Sequence, residues 1–199
     1  MMKYIRIRAG LLLLCAFLCA CLLAGCAEAP AQTEPGENTY MTDPVPEGKP
    51  QPTEPQEAVI GTAEYTCTFS IRCDSVLEHM EDLKQEKRGL IPEDGIIVPE
   101  TTVTFREGES AFDVLLRETK ARKIHMEFEN TPIYNSAYIE GINNLYEFDC
   151  GELSGWMFCV NDWFPNYGCS RYQLQDGDIV TWIYTCDLGR DIGAEITEN

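Results

Sequence analysis

Positive charge is scarce in this sequence. Lys and Arg number 15 against 33 Asp and Glu, a formal net charge of −18 at pH 7. A surface of that sign repels phosphate backbones and anionic headgroups, so nucleic acid is excluded as a partner and charge is excluded as a means of holding to a membrane. Histidine is scarcer still, with only His79 and His125 present. Neither sits beside an obvious nucleophile. His-Glu-x-x-His, Gly-x-Ser-x-Gly, P-loop and Rossmann signatures are all missing. The sequence therefore supports no catalytic residue and no cofactor, and the chain is expected not to be an enzyme. Zinc spacing is missing too. After residue 26 the nearest cysteines, Cys67 and Cys73, stand six apart, whereas zinc sites usually pair them two to four apart. No metal ligand is assigned. Long apolar runs are also lacking: the one from Leu11 to Leu22 is roughly 12–15 residues, short of the ~20 that span a bilayer.

That short run has a use. Lys3, Arg6 and Arg8 precede it, no acidic residue occurs before Glu28, and Leu23-Ala24-Gly25-Cys26 follows it. A basic start, a short apolar stretch and a small-residue cut site make a secretory signal. The cysteine at the cut resembles a bacterial lipobox. The resemblance implies cleavage before Cys26, a diacylglycerol thioether on its sulfur, and a lipoprotein held at the extracellular face of the membrane. Residues 1–25 are then signal peptide. Their loss leaves 12 basic against 33 acidic residues, a charge of −21. A solvated extracellular surface accounts for that acidity.

Of ten cysteines, Cys15, Cys19 and Cys21 leave with the signal and Cys26 carries lipid. Six remain: Cys67, Cys73, Cys150, Cys159, Cys169 and Cys186. An even number in an exported chain points to disulfide bonds.

Residues 26–60 hold the lipidated cysteine and a linker with prolines at 30, 35, 44, 46, 50, 52 and 55. Large apolar residues are few, so the segment is expected to be disordered, a stalk that lifts the next domain off the membrane. Residues 61–199 suit one domain. Tyr65 to Cys73 alternates as a strand with Cys67, Phe69, Ile71 and Cys73 on one face. Asp74 or Ser75 is placed to cap a helix through Val76, Leu77, Met80 and Leu83. Thr101 to Phe105 reads as a strand. A second helix follows, with Ser110 as its N-cap and Phe112, Val114, Leu115 and Leu116 at helical spacing. Ile124 to Phe128 alternates again, and Val180 to Thr185 reads as a buried strand. The order predicts an α+β domain, with helices on one face of a mixed sheet. Asn161-Asp162 lies as a two-residue hairpin turn would, and Asp176-Gly177-Asp178 as a tight turn before the last strand.

Aromatic residues crowd the second half, with all three tryptophans at 156, 163 and 182. Trp182 and Phe158 read as core. Trp156, Trp163, Phe164 and Tyr167 flank hairpin and loop signals, and aromatics on loops carried by a rigid sheet often form binding surfaces.

Gly155-Trp156-Met157, Asn161, Pro165-Asn166, Asp176-Gly177-Asp178 and a closing strand recur in this order in one family. With Gly108 to Leu116 as the helix ahead of them, the chain resembles DUF4430, also described as transcobalamin-like, found on surface proteins of Gram-positive bacteria. The resemblance covers about residues 65–193. It implies a β-grasp-like fold. In vertebrate cobalamin carriers the related domain caps a corrinoid lying on a separate helical barrel, and Trp156 falls in the strand whose counterpart faces ligand. This chain has no room for the barrel, so half of such a cage would come from another protein. It also carries Asp162 where family members have glycine. The β-grasp order makes first and last strands adjacent and parallel, which implies a Cys73–Cys186 bridge. Cys150 and Cys169 then bracket the Trp156 hairpin, leaving Cys67 and Cys159.

The expectation is a lipid-anchored extracellular domain that captures a small molecule such as a corrinoid (cobalamin). The contact surface falls on Trp156, Trp163, Asn166 and Tyr167, with Tyr138. The alternative is a non-catalytic structural or adhesion module that contacts a surface protein.

Overall fold

Alternation along Glu64–Arg72, strand β1, turns Cys67, Phe69 and Ile71 into the core. In the computed structural model, which describes residues 40–194, this strand sits at the centre of a sheet. It pairs antiparallel with β2 (Ile96–Arg106) on one side. On the other it runs parallel to the last strand, β7 (Ile179–Thr185), which pairs antiparallel with β6 (Gly155–Val160). The order is therefore β2-β1-β7-β6. First and last strands lie side by side and parallel, the β-grasp arrangement implied by the resemblance. Cys26 and residues 27–39 lie outside the described residues. Among the described residues no helix is long and apolar enough to cross a membrane.

A parallel pair needs a crossover, and the chain between β2 and β6 supplies it. The one α-helix among the described residues, α1 (Ala111–Arg122), buries Ala111, Val114, Leu115 and Thr119. Its first turn is closed by a capping box. Ser110 Oγ accepts from Asp113 N at 3.2 Å, and the Asp113 carboxylate accepts from Ser110 N at 2.8 Å. A second sheet follows, in order β3 (Met126–Thr131), β4 (Ser136–Ile142), β5 (Leu145–Tyr146). Both sheets and α1 contribute to one core, from Phe69 and Val180 to Leu115, Ile139 and Trp182. The fold is α+β and mostly β, with two sheets rather than one.

The helix expected from Val76 to Leu83 is a short 3-10 turn, Asp74–Glu78, followed by further turns. Its capping residues are engaged elsewhere. Asp74 accepts from Arg72 at 2.8 Å, and Ser75 Oγ donates to Tyr184 O at 2.5 Å. The Asn161-Asp162 turn forms as expected: both residues have positive φ, and Val160 and Trp163 exchange backbone hydrogen bonds of 2.8 and 3.0 Å. Asp176-Gly177-Asp178 is also a turn. Asp176 accepts from Thr66 N and Asp178 from Gln175 N, which engages both carboxylates with backbone.

All six cysteines after residue 60 are free thiols in this structure, and the expected pairings do not form. Strand register rules out Cys67–Cys159. Cys67 shares the core face with Phe69 and, across the sheet, with Val180 and Phe158, whereas Cys159 pairs with Thr181 on the opposite face. The intervening strand also separates them by about 9–10 Å, beyond disulfide reach. Cys150 and Cys169 donate to different backbone sites, His79 O and Ala137 O, each at 3.4 Å. Cys186 meets the thiol of Cys150, not that of Cys73.

Asp149 anchors the loop between β5 and β6. Its carboxylate is buried and accepts from Tyr146 N at 2.9 Å, with Lys84 Nζ at 3.0 Å and Lys87 Nζ at 3.1 Å. Burial alone would raise its pKa. The Tyr146 N–H and the two ammonium groups outweigh that and hold it below the ordinary carboxylate value of 3.8. A depressed folded pKa contributes stability above the unfolded value, and that stability is lost as pH falls through the folded value. Acid denaturation curves should therefore steepen below about pH 4. Asp149→Asn should weaken this dependence while lowering stability at neutral pH.

Candidate functional site

Arg171 is the unexpected centre of this half of the molecule. It stands on the 3-10 turn Cys169–Arg171 and is only 1% exposed. A buried guanidinium needs an anion, and the anion comes from the proline-rich segment. Glu54 Oε1 lies 2.6 Å from Arg171 Nη2, Thr42 Oγ1 accepts from Nη1 at 2.5 Å, and the Tyr40 ring lies 6.0 Å away. Thr53 N donates to Arg171 O at 2.9 Å, and Met41 N to Ile133 O at 3.0 Å.

Residues 40–60 thus form a strap laid on the domain, and the expectation of disorder fails for them. Proline-rich chain has little conformational freedom to lose, and its carbonyls remain available as acceptors. Tyr167 OH donates to Pro50 O at 2.7 Å, Asn166 Nδ2 to Pro44 O at 2.9 Å, and Lys49 Nζ sits 5.2 Å from the centre of the Trp163 ring. Three of the five expected contact residues, Trp163, Asn166 and Tyr167, therefore bind the chain's own strap. Tyr167 is also packed against Tyr172, 6.1 Å between ring centres.

Trp156 and Tyr138 face something else. They line an apolar cleft of about 180 Å³ between β4 and β6. Tyr138 and Ile139 form one wall, Trp156 and Phe158 the other, and Pro165 and Gly168 close one end. Gly168 is required there: a Cβ would meet Ser136 Oγ at 2.0 Å. Trp156 is locked by its indole N–H, which donates to Leu145 O at 2.8 Å, and by an edge contact with Tyr184. Trp182 lines the cleft from β7, stacked on Phe158 with ring centres 5.5 Å apart.

The two indoles differ in one respect. Trp182 is 1% exposed, and its N–H has no partner among the described residues. A buried donor left unmade costs about 1–3 kcal/mol. The sequence marks Trp182 as core, and its burial bears that out. The orphan donor was not visible there, because it depends on what the tertiary fold packs around the ring.

Other groups in the cleft are not reactive. Burial pushes the Cys169 thiol up to about 12, so it is no nucleophile near neutral pH. Burial and then the hydrogen bond to Glu147 raise the Tyr138 hydroxyl well above its ordinary value. Among the described residues no cluster of three or more His, Cys, Asp or Glu is placed to hold a metal ion. A larger cavity, about 570 Å³, lies beside the N-terminus of α1. Its polar walls are already engaged, Asp113 with Ser110 and Asn135 with Glu54. The smaller cleft is the better candidate because its walls are aromatic and one of them, Trp182, carries a buried N–H with no partner among the described residues.

The sheet order and helix α1 define a β-grasp-like α+β domain with an aromatic cleft. Residues 108–185 match the family model described as a domain of unknown function, DUF4430. The resemblance read from the sequence is shown over that stretch, which runs from just before α1 to the end of β7. Two solved structures match part of the chain. A crystal structure of haptocorrin in complex with Cbi is 14% identical with a TM-score of 0.46, over 62% of this chain and 25% of that one. A putative metal binding protein from Ruminococcus gnavus ATCC 29149 is 14% identical with a TM-score of 0.37, over 62% of this chain and 97% of that one. The chain thus spans a quarter of the haptocorrin chain. No curated protein matches it.

Proposed function

We propose that this is a non-catalytic, lipid-anchored extracellular domain that binds a small molecule in the β4–β6 cleft. The observation that carries the reading is the cleft walled by Tyr138, Trp156, Phe158 and Trp182, the last with a buried N–H that has no partner among the described residues. Its ligand would insert an apolar group bearing a hydrogen-bond acceptor. A cleft of about 180 Å³ takes part of a molecule, not a macrocycle. A corrinoid, the ligand class the family resemblance implies, would lie across the mouth and place only a substituent inside. Tyr138, nearly half exposed, stands at that mouth.

Tryptophan fluorescence tests this directly. Titrating the purified chain with corrinoids and with small aromatic amides should shift or quench emission for at least one class, saturably. A flat response across both refutes the reading. The anchor has its own test: Cys26→Ser should move the protein from the membrane fraction to the soluble one.

One observation favours a structural or adhesion module instead. Phe148, Leu153 and Leu188 are each about half exposed, and Leu188 N donates to Leu153 O at 2.9 Å. Phe148 and Leu188 also hold positive φ, which bulky residues rarely adopt. Exposed apolar side chains on strained backbone suit a protein contact. Phe148→Ser abolishing capture of a surface protein, with fluorescence unresponsive to every ligand, would favour this second reading.

A further inference from the structure

We propose that Cys150 and Cys186 are a disulfide-forming pair that cross-links the β5–β6 loop to the end of β7. Their thiols are close enough to interact with each other. The two segments that carry them are already bound together. Leu188 N donates to Leu153 O at 2.9 Å, and Tyr184 OH donates to Ser154 Oγ at 2.9 Å. Ser154 Oγ in turn accepts from Cys150 N at 3.1 Å. Bridging the sulfurs therefore demands little movement of the backbone. Cys67, Cys73, Cys159 and Cys169 have no such partner among the described residues. Cys67 and Cys159 face opposite sides of the sheet, Cys169 donates to Ala137 O, and Cys73 is buried at the end of β1.

The two sulfurs have different access. Cys150 is 2% exposed, whereas Cys186 is partly exposed and has the Ser75 hydroxyl against its sulfur. Cys186 is the entry point. Its thiolate attacks an external disulfide, R–S–S–R, forming a mixed disulfide and releasing one R–S⁻. The Cys150 thiolate then attacks the Cys186 sulfur and expels the second R–S⁻. The two protons of the protein thiols end on the two released R–SH. The protein is oxidised by two electrons and the external disulfide is reduced by two. A disulfide-bearing oxidase or oxidised glutathione serves as R–S–S–R. Burial raises both thiols above their ordinary value, so exchange is slow without a catalyst.

The full chain is reduced, incubated with oxidised glutathione, and digested without reductant by trypsin and a glutamate-specific protease. Cuts after Glu147 and Glu152 separate Cys150 from Cys159 and Cys169. The expected product is one cross-linked peptide carrying Cys150 and Cys186, two hydrogens lighter than its parts. Oxidation should raise Tm by roughly 5–10 °C, and Cys150→Ser should erase that difference. A Cys73–Cys186 or Cys150–Cys169 peptide, or six intact thiols after prolonged incubation, overturns the proposal.

Discussion

Glu54→Ala should lower the unfolding free energy by about 3 kcal/mol, as read by urea denaturation. Glu54 Oε1, at 2.6 Å, is the carboxylate facing a guanidinium that is 1% exposed. Its removal strands a buried charge, which typically costs about 3–5 kcal/mol. The lower end applies because a loosened strap admits water to Arg171. The partner change is not symmetric. Arg171→Met removes the buried charge and leaves Glu54, which is partly exposed and can rehydrate. It should therefore cost less than Glu54→Ala, and the double variant should recover much of the loss. An independent readout is cleavage after Glu47 by a glutamate-specific protease, which should accelerate in Glu54→Ala as the strap lifts. Equal stability of Glu54→Ala and wild type would mean that the strap is not fastened at Arg171.

Trp182→Phe and Trp156→Phe should separate binding from folding. Both lose an indole N–H. In Trp156→Phe the loss also abandons Leu145 O, so the fold should weaken by about 1–3 kcal/mol. In Trp182→Phe no acceptor is abandoned, because none is present among the described residues. Relief of the unmade donor offsets the smaller ring, and stability should stay within about 1 kcal/mol of wild type. Ligand affinity behaves oppositely. Losing one hydrogen bond to the ligand, worth about 1.4 kcal/mol, should weaken binding roughly tenfold in Trp182→Phe. A variant that binds as well as wild type would remove Trp182 from the site.

Much of the fold could be read from local pattern. The β1 alternation, the Ser110 cap, the Asn161-Asp162 turn and the 180–185 strand each depend on residues within a few positions. The Val76–Leu83 stretch misled because its periodicity is helical while Asp74 and Ser75, its only caps, bond to Arg72 and Tyr184. The strap could not be read at all. Its composition matches a disordered linker, and what orders it is a charge on Arg171, more than a hundred residues away. Half of the aromatic surface was consequently assigned to ligand when it binds Pro44 and Pro50. Trp156 and Tyr138 come together in one cleft although they stand on strands of different sheets, which no local pattern shows. The Cys150–Cys169 pairing failed because the tertiary fold turns the two thiols to different backbone sites, His79 O and Ala137 O, which spacing along the chain does not reveal.

Three tryptophans give three indole N–H signals in a proton–nitrogen NMR spectrum, one locked on Leu145, one under the strap, one orphaned. Adding the ligand class that changes fluorescence should move the Trp182 signal most, as its proton acquires an acceptor, and leave Trp163 nearly still. Movement of Trp163 with Trp182 unchanged would place binding under the strap and contradict a cleft site.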